Sequence, residues 1–260
     1  PAPENVTRIG PQPGPQTVFL STSADIAIYG GAAGGGKTFA ILLEAIRNIA
    51  NPEFKAIIFR RTTVQIRNPG GLWDESETLY PLIDGVGTST YLEWVFPSGA
   101  TIKMAHLEHD KTRLEYQGSQ IPLIMFDELC HFSESQFFYM LSRNRSMSGI
   151  SGYIRASCNP DPDSWVAKFI EWWIDQETGF PIKERAGVLR WFVRISDTMH
   201  WADTKEELLD RFADLPPQDV QPKSVTFVPA LLEDNPLMMR KDPGYRANLL
   251  AMPLVERAQL

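Results

Sequence analysis

The chain has 260 residues and a formal net charge of −7, which gives room for one large α/β domain or two modest ones and argues against a protein coated in positive surface. That charge does not exclude nucleic acid, since local patches decide such binding. No apolar run approaches the ~20 residues of a membrane span, and no basic-then-apolar start resembles a signal peptide, so an intracellular protein is expected.

In chain order, residues 1–17 carry five prolines and are expected to be extended and irregular. Gln12 and Gln16 lie there, each either a solvated loop amide or a reader of an adenine edge. A short apolar strand, Ile26-Ala27-Ile28-Tyr29, leads into Gly31-x-x-x-x-Gly36-Lys37-Thr38, and an apolar helical pattern follows through Ile46. This is a phosphate-binding loop in its required context, strand before and helix after. Gly31, Gly34, Gly35 and Gly36 let backbone N–H groups converge on phosphates, and the helix start adds partial positive charge. Lys37 would reach the β- and γ-phosphates, and the Thr38 hydroxyl would hold Mg²⁺.

Asn51-Pro52 stops that helix, and Ala56 to Phe59 reads as a second buried strand ending in Arg60-Arg61. From Lys55 to Trp73 there is no acidic residue, so this segment either is a solvated face or meets phosphate at the strand's carboxyl end. Glu75 to Ile83 looks helical, and Tyr91–Phe96 with Ala100–Met104 flank Pro-Ser-Gly as a β-hairpin. Ile121 to Phe126 is a further apolar strand, followed at once by Asp127-Glu128, 90 residues after Lys37. In that position the pair reads as a Walker B motif: Asp127 for Mg²⁺, Glu128 for the attacking water.

Ser133-Glu-Ser-Gln136 is a capping box that opens a helix. Gly152 to Ala156 forms another strand ending in Ser157-Cys158-Asn159-Pro160, either a plain Asn-Pro turn or a γ-phosphate sensor beside Walker B. Asp161-Pro162 is expected to start the helix carrying Trp165, Phe169, Trp172 and Trp173, whose rings suit the core. Gly187 to Ile195 and Val225 to Val228 read as strands, Thr204 opens a short acidic helix, and Asp242-Pro243 opens a last one. Cys130 and Cys158 lie outside any CxxC pattern and fit reduced thiols; the four histidines show no metal spacing.

Gly14-Pro-Gln-x-x-Phe-Leu20, the P-loop, Phe59-Arg60-Arg61-Thr62, Tyr116-Gln-Gly118, Phe126-Asp-Glu128, Ser157-Cys-Asn-Pro160 and Asp234-Asn-Pro236 stand in a fixed order. The chain thereby resembles the ATPase domain of the large terminase subunit of tailed bacteriophages, the motor that packages DNA into an empty capsid. The resemblance implies an α/β three-layer P-loop NTPase of the ASCE type with a mainly parallel sheet and a small C-terminal helical lid. On that basis residues 1–230 would form the ATPase core, and 231–260 the lid and linker. It implies ATP and Mg²⁺ as cofactors, Gln16 on the adenine (with Gln12 close enough to compete), Arg60 near the nucleotide, and Ser157 to Asn159 as the coupling motif.

An arginine finger is implied as well. The position where some members carry it is Gln117 here, which leaves Arg143 and Arg145 as candidates, with Arg60 and Arg113 behind them. Implied partners are double-stranded DNA, the portal protein, the small terminase subunit and a C-terminal nuclease domain. A homo-oligomeric ring (a pentamer by resemblance) is implied in the active motor, a monomer in isolation, and the host cytoplasm as location. No carboxylate cluster with metal spacing follows, so ATPase without nuclease activity is expected of these 260 residues, which read as a piece trimmed from a longer protein. Other readings stay open: a P-loop helicase, an ATP-dependent switch with little turnover, and a small-molecule kinase. Glu128 weighs against the last two.

Overall fold

A computed structural model describes residues 9–31, 34–159 and 161–251, with the side chains of 249 and 250 excepted. The expectations that fall on residues 1–8, on Ala32 and Ala33 of the P-loop, on Pro160 and on 252–260 lie outside the described residues. In chain order the elements are α1 (Pro15–Ser21), β1 (Ile26–Gly31), α2 (Lys37–Ala45), β2 (Lys55–Arg60), α3 (Thr63–Arg67) and α4 (Leu72–Leu79). Next come β3 (Val86–Thr88), β4 (Glu93–Val95), β5 (Thr101–His106), β6 (Leu123–Phe126), α5 (Glu134–Arg143), β7 (Tyr153–Cys158) and α6 (Trp165–Phe169). The chain continues through β8 (Arg190–Ile195), β9 (Thr198–Ala202), α7 (Lys205–Arg211), β10 (Lys223–Ala230), α8 (Pro236–Lys241) and α9 (Tyr245–Leu250).

Among the described residues ten strands join one sheet, in the order β3-β4-β5-β2-β6-β7-β1-β10-β8-β9. The six central strands, β5 to β10 in that order, pair in parallel; β3, β4, β8 and β9 add antiparallel margins. The strand ending in Asp127 is therefore not beside the P-loop strand. β7 is inserted between them, which defines the additional-strand class of P-loop fold expected from the sequence.

Helices cover both faces, because the central strands are apolar on both sides. Ala27 and Tyr29 of β1 face a core shared with Phe19 of α1, Ile41 and Leu42 of α2 and Trp73 of α4. Ile26 and Ile28 face the opposite core, with Phe137 and Met140 of α5 and Val166 and Phe169 of α6. Trp173 is fully buried in this second core, with Trp165 and Trp172 packed against it, as expected for core rings.

Two local expectations are corrected. Pro15 starts a helix rather than an extended tail, occupying its first turn after Gly14. The helix at Trp165 is capped by Ser164, whose Oγ accepts from Ala167 N, while Asp161 instead folds back on Asp163 N. The strand expected at Val225 to Val228 forms as Lys223–Ala230 and is the direct parallel neighbour of β1. A separate helix, α8, stands between β10 and α9, with Asn235 as its cap.

Candidate active site

Open parallel sheets place ligands beyond the carboxyl ends of their strands, where the order reverses. Here that crevice is bounded by the ends of β1, β7, β6 and β2. Gly31 closes β1 with φ of +134°, and an added Cβ would stand 1.8 Å from the Ala230 carbonyl oxygen of β10, so only glycine fits. The chain then turns into α2, whose first residues are Lys37 and Thr38.

Lys37 is buried and donates from Nζ to the Gly31 carbonyl at 2.9 Å. Burial lowers its pKa, opposed by the charges of Glu128 and Asp127 and by Cys158. A phosphate chain would supply the compensating negative charge such a lysine favours.

Asp127 sits one residue beyond β6, tied by its N–H to the Phe59 carbonyl of β2 at 2.9 Å. Its carboxylate is buried and engaged on both oxygens: Oδ1 accepts from Ser157 Oγ at 2.7 Å, and Oδ2 from Arg60 Nη1 at 2.9 Å. Burial raises the Asp127 pKa, and Arg60 and Ser157 counter it. Glu128 follows with φ of +63°, a left-handed conformation uncommon for glutamate. Its N–H donates to Ser157 Oγ at 2.9 Å, and its carboxylate stands 3.7 Å from Arg60 Nη1. The Ser157 hydroxyl thus bridges Asp127 and Glu128, donating to the first and accepting from the second. Asn159 adds a carbonyl oxygen that accepts from Cys130 Sγ at 3.1 Å, and its buried side-chain Oδ1 has no hydrogen-bond partner among the described residues.

These residues fit a Mg²⁺–nucleotide pair. The Thr38 hydroxyl and the Asp127 carboxylate are hard oxygen donors on the elements that flank the crevice. Among the described residues no cluster of three or more His, Cys, Asp or Glu could hold a metal by itself. The Thr38 and Asp127 oxygens are enough for Mg²⁺, which takes one or two protein oxygens and completes its shell with water and substrate phosphates.

The sequence-predicted residues do not all meet here. The P-loop glycines, Lys37, Thr38, Arg60, Asp127, Glu128, Ser157 and Asn159 converge on the strand ends. Gln16 is buried with both ends of its amide engaged: Oε1 accepts from Gln12 N at 2.9 Å, and Nε2 donates to the Gly36 carbonyl at 3.0 Å. It supports the loop from behind. Gln12 is held in turn against Asn235, at 2.8 Å.

Of the basic segment after β2, only Arg60 enters the carboxylate pair. Arg61 donates to the Leu107 carbonyl and Gln136, and Arg67 to the Ser89 carbonyl. Arg143 and Arg145 lie at the other end of the sheet. The Arg143 carbonyl accepts from Ile121 N, just before β6 begins, and Asn144 binds the carbonyls of Ile121, Pro122 and Tyr153. Four residues of strand, about 13 Å, separate that level from Asp127. Arg113 pairs with Asp110 and lies over the Tyr139 ring that Arg143 also covers. Tyr29 and Asn235, which bind the P-loop carbonyls, were not legible as site residues. Tyr29 reads as strand core, and Asn235 only as part of the Asp234-Asn-Pro236 run.

The model of the family described as "Terminase large subunit, T4likevirus-type, N-terminal" matches residues 28–260. No curated protein matches. Among solved structures, the large terminase from a thermophilic bacteriophage superimposes with a TM-score of 0.57 at 14% identity, over 94% of this chain and 52% of that one. The same terminase in complex with ATP-γ-S gives 0.54 at 15% identity, over 94% of this chain and 50% of that one. The large terminase ATPase domain of Thermus phage P74-26 gives 0.52 at 14% identity, over 95% and 90% of the two chains. At these identities the likeness is one of fold, and the chain spans about half the length of the first of these terminases.

Proposed function

The chain belongs to the large terminase subunits, matching the N-terminal part of the T4-like-virus type, and on that premise we propose that it is an ATP-hydrolysing motor domain driving double-stranded viral DNA into the procapsid. The observation that carries this reading is the Asp127–Ser157–Glu128 bridge at the end of β6, facing Lys37. A glutamate placed beside Asp127 can serve as the base for an attacking water, which supports hydrolysis over binding alone.

In the proposed reaction the P-loop N–H groups and Lys37 would hold the β- and γ-phosphates, while Thr38 and Asp127 would hold Mg²⁺. When bound, the metal neutralises charge on the β- and γ-oxygens. Glu128 orients a water in line with the γ-phosphorus and takes its proton as the new P–O bond forms. The bond to the β–γ bridging oxygen breaks, leaving ADP and phosphate. Arg60 is within reach of this charge, since its guanidinium already lies between the two carboxylates. Ser157 hydrogen-bonds the Asp127 carboxylate and the Glu128 backbone N–H, so a change at the γ-phosphate would be felt along β7.

The same membership supports a proposal for the wider assembly. Partners would be double-stranded DNA gripped through its phosphates, the portal protein, the small terminase subunit and a C-terminal nuclease domain, with the helices after β10 as a lid. The working form would be a homo-oligomeric ring, a pentamer by family, in the host cytoplasm. Such DNA contact would be salt-sensitive and nearly blind to sequence. The test is Mg²⁺-dependent phosphate release from ATP by this chain, its concentration varied, beside Glu128→Gln. Turnover in the first and its loss in the second support the reading. A wild-type chain that binds ATP and never hydrolyses it, however concentrated, overturns it in favour of a switch.

A further inference from the structure

Backbone N–H groups can converge on a phosphate only if the carbonyls of the same peptides point away. In this P-loop three consecutive carbonyls are held from behind by side chains: Gly34 by Asn235 Nδ2 at 2.6 Å, Gly35 by the Tyr29 hydroxyl at 3.2 Å, and Gly36 by Gln16 Nε2 at 3.0 Å. All three donors are buried residues. Tyr29 and Gln16 come from elements that immediately precede the loop, whereas Asn235 comes from 201 positions further along.

Asn235 is also the cap of α8. Its Oδ1 accepts from Met238 N at 3.2 Å and from Gln12 Nε2 at 2.8 Å, while Gln12 Oε1 accepts from Leu237 N at 3.4 Å. The same region packs directly on the loop. A Cβ added to Gly34 would lie 2.7 Å from the Tyr245 ring and 2.8 Å from Leu232. One carboxamide therefore fixes a P-loop peptide with its nitrogen and a helix start with its oxygen.

We propose that Asn235 is a positioning residue that makes the seating of the C-terminal helices and the phosphate affinity of the P-loop two sides of one equilibrium. The proposal rests on the nucleotide-binding reading above and deepens it. If Asn235 leaves Gly34, that peptide loses the donor that turns its carbonyl outward, and the anion nest loosens. By reciprocity, a ligand that fixes the nest tightens the seat of α8 by the same factor. Whatever lies beyond the C-terminal helices would then be linked to nucleotide occupancy through this contact, independently of Ser157 and Asn159.

The test is amide hydrogen exchange of the C-terminal helices with and without Mg²⁺·ADP, together with ADP affinity, for the wild-type chain, Asn235→Asp and Asn235→Ser. Aspartate keeps the helix cap and the acceptor for Gln12 but cannot donate to Gly34. Serine keeps the cap without adding a negative charge near the phosphates. The expected result is several-fold slower exchange in α8 when ADP binds the wild type, and ADP affinity about tenfold weaker in both variants, the scale of one lost hydrogen bond. In the variants, saturating ADP should no longer slow exchange in α8. A helix cap with no positioning role would leave ADP affinity unchanged. Unchanged affinity in both variants, or wild-type protection confined to the P-loop, overturns the proposal while leaving the ATPase reading intact. A wild-type chain that binds no ADP overturns both.

Discussion

At the scale of single residues, the site combines groups whose burial opposes their own charge. Asp127 is the clearest case, because burial raises its pKa despite Arg60 and Ser157. Between its unfolded value and that raised value the folded chain binds more protons than the unfolded one, so stability falls as pH rises through this window. Asp127→Asn removes the charged form. It is expected to raise Tm at neutral pH, with the advantage shrinking on acidification, and to abolish the Mg²⁺ dependence of nucleotide binding. Thermal unfolding from neutral to mildly acidic pH checks the first; an unchanged or lower Tm at neutral pH would refute it. Glu128→Gln is expected to keep nucleotide affinity within a few-fold while turnover drops by 10²–10⁴, the scale of a lost general base. The placement of Lys37, Thr38, Asp127 and Glu128 at the strand ends was legible because spacing and flanking elements constrain it. The roles of Tyr29, Gln12, Gln16 and Asn235 were not, since a buried amide or phenol that binds a backbone carbonyl leaves no periodic trace in sequence.

At the scale of elements, the central strands and α5 follow from pattern, because strands buried on both faces read as unbroken apolar runs. The Ser133 capping box forms as expected, its Oγ accepting from Gln136 N at 3.1 Å and Gln136 Oε1 from Ser133 N at 3.0 Å. Ser133→Ala should cost about 1 kcal/mol in chemical denaturation, with the denaturant slope unchanged. The β8–β9 hairpin escaped the sequence reading for a physical reason. Its two-residue loop, Ser196-Asp197, takes positive φ at both positions without glycine or asparagine to signal it. β3 is three exposed residues long and has no apolar alternation to detect. Gly31 shows how elements constrain the loop. Gly31→Ala would push Cβ into the β10 backbone, so it should destabilise by at least the 1–3 kcal/mol typical of local backbone strain. Folded chain that remains should bind nucleotide weakly, which equilibrium unfolding and fluorescent-nucleotide titration would separate.

At the scale of the whole molecule, the open element is the arginine that completes the site. Arg143 and Arg145 stand at the amino ends of the strands, about 13 Å of strand from Asp127, so neither can serve the nucleotide bound to its own chain. Arg60 is inside the site, but its guanidinium is committed to the Asp127 carboxylate. A ring offers a way out, because the end of one chain that carries Arg143 and Arg145 can face the P-loop of the next. The finger would then act between copies, and hydrolysis would depend on assembly. Turnover per chain should rise with concentration, and the double variant Arg143→Ala/Arg145→Ala should bind ATP normally while turning over 10³-fold or more slowly. Lys37→Ala lacks a working P-loop but keeps both arginines. Mixing the two inactive proteins should therefore restore phosphate release, since each Lys37→Ala chain can donate its arginines to a neighbour with an intact site. Turnover independent of concentration, with no recovery on mixing, would instead assign the finger to Arg60 within the chain, and Arg60→Ala would then be the inactive variant.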